Sequence, residues 1–218
     1  MPDAAIAHLL TPQSHRKRAA EPLPFLQDLM LERARVHEFC GLARRRLALS
    51  VARALQGPVF WIRPAWIPGG LNAQGVQALI DPSRLIFLNP KRPEDLLWCM
   101  EEVLRAGLVS LVVADLPHPP GLTAVRRLHL AAETGAREGK LVPVGLLLTP
   151  EAGGAPGVET RWSLTPAHGA AGVEGWRLER VRARMEPEKA WMLCGADFSL
   201  GPQSSVQNTA ESLDLSRS

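Results

Sequence analysis

Leu108-Val109-Ser110-Leu111-Val112-Val113-Ala114-Asp115 is a near-continuous apolar run closed by an acid. Such a run fits a strand covered on both faces, which is how strands of a parallel sheet read, because helices shield the sheet from either side. The flanks agree. Upstream, Pro93 to Ala106 has helical spacing, with proline at its start and Gly107 just past its end, the usual asymmetry of helix termini. Downstream, Leu122 to Glu138 reads as another helix and Leu141 to Leu148 as another buried strand. Working back toward the N-terminus, Leu85 to Leu88, Val59 to Ile62 and Val36 to Cys40 are short β-rich runs. Between them lie helical patterns at Leu42 to Leu55 and near Gln74 to Leu79. Strands alternating with helices predict an α/β fold with a mostly parallel central sheet.

Outside this core the pattern changes. Leu23 to Arg33 reads as a short amphipathic helix, and Glu151 to Gly157 as a flexible connection. Arg161 to Leu164, Trp176 to Arg184 and Ala190 to Cys194 read as an antiparallel β extension, with turns at Gly169 to Gly175 and Glu186 to Lys189. The expected organisation is a flexible arm over residues 1–20, one domain over 21–199 and a disordered polar tail over 200–218. A core of this size is ordinary for a chain of 218 residues that are 46% hydrophobic and 22% charged. No apolar run is long enough to span a bilayer, and an apolar patch ahead of His15-Arg16-Lys17-Arg18 reverses the order of a secretory signal. The expectation is a cytoplasmic protein without membrane contact. Cys40, Cys99 and Cys194 are odd in number and far apart, which suggests neither a disulfide framework nor a zinc site.

The turn between the first core strand and its helix is where phosphate-binding proteins hold nucleotides, through backbone amides, the helix dipole and a lysine. Here it reads Cys40-Gly41-Leu42-Ala43-Arg44-Arg45-Arg46-Leu47-Ala48. Against Gly-x-x-x-x-Gly-Lys-Ser/Thr only Gly41 matches, since Arg46 stands at the second glycine, Leu47 at the lysine and Ala48 at the hydroxyl residue. Asp115 ends its strand as a magnesium-binding acid would, although an acid there also serves as a cap or turn residue. The degenerate nucleotide site is therefore Gly41, Arg44, Arg45, Arg46 and Asp115, with no cofactor and no catalytic residue expected. Strand alternation puts Arg180, Arg182 and Arg184 on one face, a basic stripe that suits DNA, an acidic protein or solvent. Trp66, in a Pro-Gly loop, is the best candidate for an exposed anchor.

The order of these features resembles the RecA core. Closer still, Leu96-Leu97-Trp98-Cys99-Met100-Glu101-Glu102, Arg126-Arg127-Leu128-His129-Leu130-Ala131-Ala132-Glu133, Thr160-Arg161-Trp162 and Gly175-Trp176-Arg177-Leu178 resemble runs of the ImuA proteins. These are RecA-related, sometimes SulA-like accessory factors, and the resemblance covers about Val36 to Cys194. It implies a non-catalytic factor in damage-induced error-prone translesion DNA synthesis. Its partners would be an ImuB-like Y-family polymerase homologue, RecA and, indirectly, an error-prone replicative-type polymerase. RecA has a glutamate just beyond the second strand, whereas this chain has Arg63-Pro64-Ala65-Trp66. Two alternatives remain open, a SulA-like inhibitor of cell division and a RecA paralogue with residual ATP or direct DNA binding.

Overall fold

The computed structural model describes residues 21–168, 174–195 and 198–200. The expected arm over 1–20, most of the 169–175 turn and the tail beyond 200 lie outside the described residues, while Leu200 itself closes the last strand.

A hairpin, β1 (Leu23–Leu26) and β2 (Leu29–Leu31), opens the described chain. The core follows as β3 (Val36–Cys40), α1 (Arg44–Arg53), β4 (Val59–Ile62), α2 (Ala73–Gln77), β5 (Leu85–Leu88), α3 (Pro93–Ala106), β6 (Leu111–Asp115), α4 (Leu122–Glu138), β7 (Val144–Leu148) and β8 (Thr160–Pro166). The extension is β9 (Gly175–Ala183), β10 (Lys189–Cys194) and β11 (Ser199–Leu200). One nine-stranded sheet runs in the order β11-β10-β9-β8-β3-β7-β6-β4-β5. β3 to β8 are mutually parallel, and β9, β10 and β11 alternate in direction. The fold is thus α/β with a mostly parallel central sheet flanked by helices and an antiparallel C-terminal extension.

Each face of the sheet carries its own core. α1, the hairpin and Val76 of α2 cover one, packing Leu23, Leu31, Leu47, Val51 and Val76 onto Phe39, Trp61, Val113, Leu146 and Trp162. α3 and α4 cover the other, where Leu96, Met100, Leu104, Val125 and Leu128 meet Val36, Ile62, Val112, Ala114 and Leu147. The two helices touch closely at their C-terminal ends. A methyl group added at Gly135 would lie 2.0 Å from the Leu104 carbonyl oxygen, so only glycine permits that approach.

The structure corrects four expectations. Arg161 to Leu164, expected in the antiparallel extension, lies in β8, which runs parallel to β3 as an outermost strand of the parallel core. Residues 23–33 form a hairpin, not a helix, because burial alternates along Leu23-Pro24-Phe25 and Gln27 takes a positive φ of 46° at the turn. Pro24 is tolerated there because this two-stranded ribbon is all edge. The strands foreseen from Leu108 and Leu141 begin at Leu111 and Val144, since both segments first pack around the helix end, with Leu141 N–H donating to the Gly107 carbonyl. The Glu151 to Gly157 connection is pinned, with Ala155 wholly buried and its amide, like that of Gly154, donating to Glu38.

Candidate functional site

The parallel strands end along one edge, and α1 starts there. Its cap residue, Ala43, offers no side-chain acceptor, and its first turn is Arg44-Arg45-Arg46, three cations against the positive end of the helix dipole. The surroundings compensate. Arg45 Nε donates to Asp115 Oδ2 at 2.6 Å and Arg44 lies 3.8 Å from Asp115 Oδ1. Arg46 places its guanidinium 4.9 Å from the centre of the Trp176 ring and 5.0 Å from that of Phe198. Gly41, Arg44, Arg45 and Asp115 therefore meet at one place, while Arg46 turns aside onto aromatic rings.

The geometry of the turn decides what it can bind. Gly41 has φ 82°, and a Cβ there would lie 2.6 Å from the Leu164 carbonyl oxygen. Its N–H donates to the Glu151 carbonyl at 2.9 Å, and the Ala43 N–H donates to the Leu164 carbonyl at 3.0 Å. Two amides of the turn, which a phosphate loop would leave free, are thus already bound to protein carbonyls. Leu47 and Ala48, at the lysine and hydroxyl positions of a phosphate loop, are buried in the core. What the turn shows to solvent is Leu42, 84% exposed. Trp66, 44% exposed, follows β4 along the same edge, in a loop shaped by the Arg63 guanidinium, which donates to the Ile67 and Gly69 carbonyls.

The expected basic stripe on β9 does not exist. Trp162 pairs with Arg180 and Arg161 with Arg182, so Val181 is the extra residue of a bulge that reverses the alternation. Arg180 is buried between Trp162 and Trp191, with its ring-centroid distances at 5.7 and 5.5 Å, donates to the Pro187 carbonyl and pairs with Glu186. Desolvation holds its pKa below the ordinary arginine value. Arg182 is exposed beside Arg161, and Arg184 reaches to 3.9 Å from Glu159.

Sequence reasoning missed Glu38. It is fully buried in β3 and accepts hydrogen bonds from Thr149 Oγ1 (2.7 Å), Gly154 N (2.8 Å), Ala155 N (3.0 Å) and Arg161 Nε. A carboxylate in the middle of an apolar strand was its only signal. It also missed Trp98, which at 57% exposure stands further out of α3 than Trp66 stands out of its loop. Cys40 is buried, and desolvation together with Glu38 pushes its thiol up to about 11, which leaves it a poor nucleophile. Among the described residues no three His, Cys, Asp or Glu side chains gather as metal ligands, and no helix is long and apolar enough to cross a membrane. No family model matches the chain, and no curated protein matches it.

Proposed function

We propose that this chain is a non-catalytic RecA-like accessory factor that works in error-prone translesion DNA synthesis by binding an ImuB-like polymerase homologue and RecA. The observation that carries the reading is the closed glycine turn, whose Gly41 and Ala43 amides are satisfied by Glu151 and Leu164. Two further features support it. One strand, β7, separates the strand before the turn from the strand ending in Asp115, and all three end at the same edge, the layout of a nucleotide-binding core. Arg45 holds the acid that would otherwise hold magnesium. The edge offers Trp66, a side chain of the kind that anchors protein interfaces, together with the exposed apolar Leu42.

The test is a pull-down of purified RecA and the polymerase homologue on the full chain, with and without ATP and single-stranded DNA. Retention independent of ATP, reduced at least tenfold by Leu42→Asp, is the expected result. Micromolar nucleotide binding, or retention of neither partner, overturns the reading and leaves the likeness to RecA as one of fold.

A further inference from the structure

The bulge that turns Arg180 into the core sets Arg177 and Arg182 together on the opposite face of the sheet. Cross-strand pairing places Arg161 of β8, Arg177, Glu179 and Arg182 of β9, and Ala190 and Met192 of β10 on that face. Arg161 stands opposite Glu38, two residues along β3 from Val36, so this is the side that α3 and α4 cover in the core. α3 and α4 pack on β3, β4, β6 and β7, and their core holds no residue of β8, β9 or β10. Arg177, Arg182, Ala190 and Met192 are accordingly exposed. The face is also positive. Arg177 is matched by Glu179 at 2.7 Å and Arg161 by Glu38, but Arg182 stands opposite Arg161 with no ion pair among the described residues. Arg184, just beyond the strand, is 65% exposed and 3.9 Å from Glu159, an acid it shares with Arg35.

We infer that the segment Val206 to Leu215 of this same chain docks on that face, with Glu211 and Asp214 beside Arg182 and Arg184 and with Leu213 and Leu215 against Ala190 and Met192. The segment reads Val-Gln-Asn-Thr-Ala-Glu-Ser-Leu-Asp-Leu, with two acids, no cation and four apolar side chains. Its charge and its apolar residues both complement the face. β11 runs antiparallel to β10 and ends with Leu200 opposite Leu193, so the described sheet ends one strand from Met192 and two from Arg182, about 5 and 10 Å across the strands. Leu213 follows Leu200 by thirteen residues, a reach of up to about 45 Å. A segment on so short a tether is present at an effective concentration on the order of millimolar, so exposed ion pairs and two leucines suffice to hold it. That tether selects the segment over an acidic stretch of any other molecule.

Nuclear magnetic resonance of the full chain reads it directly. The Leu213 and Leu215 amides are expected to show restricted motion, and Leu213→Ser with Leu215→Ser is expected to free them and to shift the signals of Ala190, Met192 and Arg182. At about 1 M salt, where the screening length falls to about 3 Å, the docked fraction drops several-fold. Arg182→Glu lowers it about fivefold, and combining it with Asp214→Lys restores docking. The serine substitutions lie beyond β11, so they report on docking even if Arg182→Glu disturbs Arg161. Fast motion of both leucines in the parent chain, a sheet face indifferent to the serine substitutions, or a charge swap that fails to restore docking would overturn the inference. So would docking that rises with protein concentration, which marks the segment of a second copy, or capture of single-stranded DNA on Arg182 while the leucines stay mobile. None of these results touches the pull-down with RecA and the polymerase homologue, so the two readings fail separately.

Discussion

β3 and β6 lie on either side of β7, are five residues long and are buried throughout, yet their compositions are opposite. β6 is Leu-Val-Val-Ala-Asp and places its one charged residue at the end. β3 is Val-His-Glu-Phe-Cys and buries two ionisable side chains in its middle. The reason is what each strand has beside it. β6 sits between β7 and β4 with helices above and below, so every side chain but the last meets hydrocarbon. β3 borders β8, whose Arg161 reaches Glu38, and lies under the 149–155 loop, whose amides and Thr149 hydroxyl complete the shell. Burial in a parallel sheet thus demands that polar groups be satisfied, and hydrocarbon is one way among two of meeting that demand.

The sharpest way to break this comparison is Glu38→Gln. The amide keeps the size but leaves the largely shielded Arg161 opposite a neutral group, and it turns a donor toward either the Gly154 and Ala155 amides or Arg161 itself. The expected loss is about 3–5 kcal/mol in urea unfolding, the range for removing one partner of a buried ion pair. Replacing both residues, Glu38→Gln with Arg161→Met, is expected to cost less than the single change. If the single change costs under about 1 kcal/mol, the pairing of Glu38 with Arg161 behaves as a water-screened surface pair and the contrast with β6 fails.

His37 sharpens the same contrast through pH. Its Nε2 lies 2.9 Å from the Glu32 carbonyl, which can only accept, and its Nδ1 lies 2.7 Å from Thr160 Oγ1. The Glu32 carbonyl therefore fixes a proton on Nε2, and in the neutral ring Nδ1 accepts from the Thr160 hydroxyl, which itself accepts from Trp162 Nε1. Burial, helped by His129 and Arg35, lowers the His37 pKa from 6.5 to about 4. Below pH 6.5 the unfolded chain takes up a proton that the folded chain refuses. Stability is therefore full above pH 6.5 and falls toward pH 4, by up to about 3 kcal/mol. Urea midpoints at pH 7 and pH 4.5 measure it. His37→Asn should flatten most of the slope, leaving the part due to His129, whose pKa burial also lowers.

In β6 the corresponding probe is Val113→Ala, which leaves a void among hydrocarbon neighbours and is expected to cost about 2 kcal/mol, independent of pH. A pH-dependent loss there would show that the two strands are coupled.

This difference also explains what the sequence made legible. β6, β7, α3 and α4 are dictated by their own residues, through apolar runs, a proline at N1 and a left-handed Gly107 with φ 57°. β9 and β10 were readable as an antiparallel extension too, but not the parallel direction of β8, nor the bulge at Val181, since nothing local marks which residue goes unpaired and the register depends on β8. The hairpin at β1 and β2 was misread because Leu23, Leu26 and Met30 happen to suit both periods over so short a stretch. Of the candidate site, the loss of the lysine and hydroxyl positions could be read directly. The partners of Glu38, separated from it by more than a hundred residues, could not.

Asp115 gives the smallest expected effect and the most informative one. Like Glu38 it is a buried acid matched to arginine, but Arg45 is itself 40% exposed, so water screens the pair. Asp115→Asn should therefore cost only about 1 kcal/mol in urea unfolding. The substitution also releases Arg44 and Arg45 from their counter-charge at the start of α1, where a free anion could replace it. Calorimetry with pyrophosphate should then show millimolar binding in the variant and none in the parent, without dependence on magnesium, because Ala48 offers no hydroxyl to hold the ion. Micromolar binding of magnesium-ATP by the variant would mean that Asp115 alone keeps the turn shut. The Glu151 and Leu164 carbonyls would then be easily displaced from the Gly41 and Ala43 amides, and the site would be a nucleotide site under an internal lock.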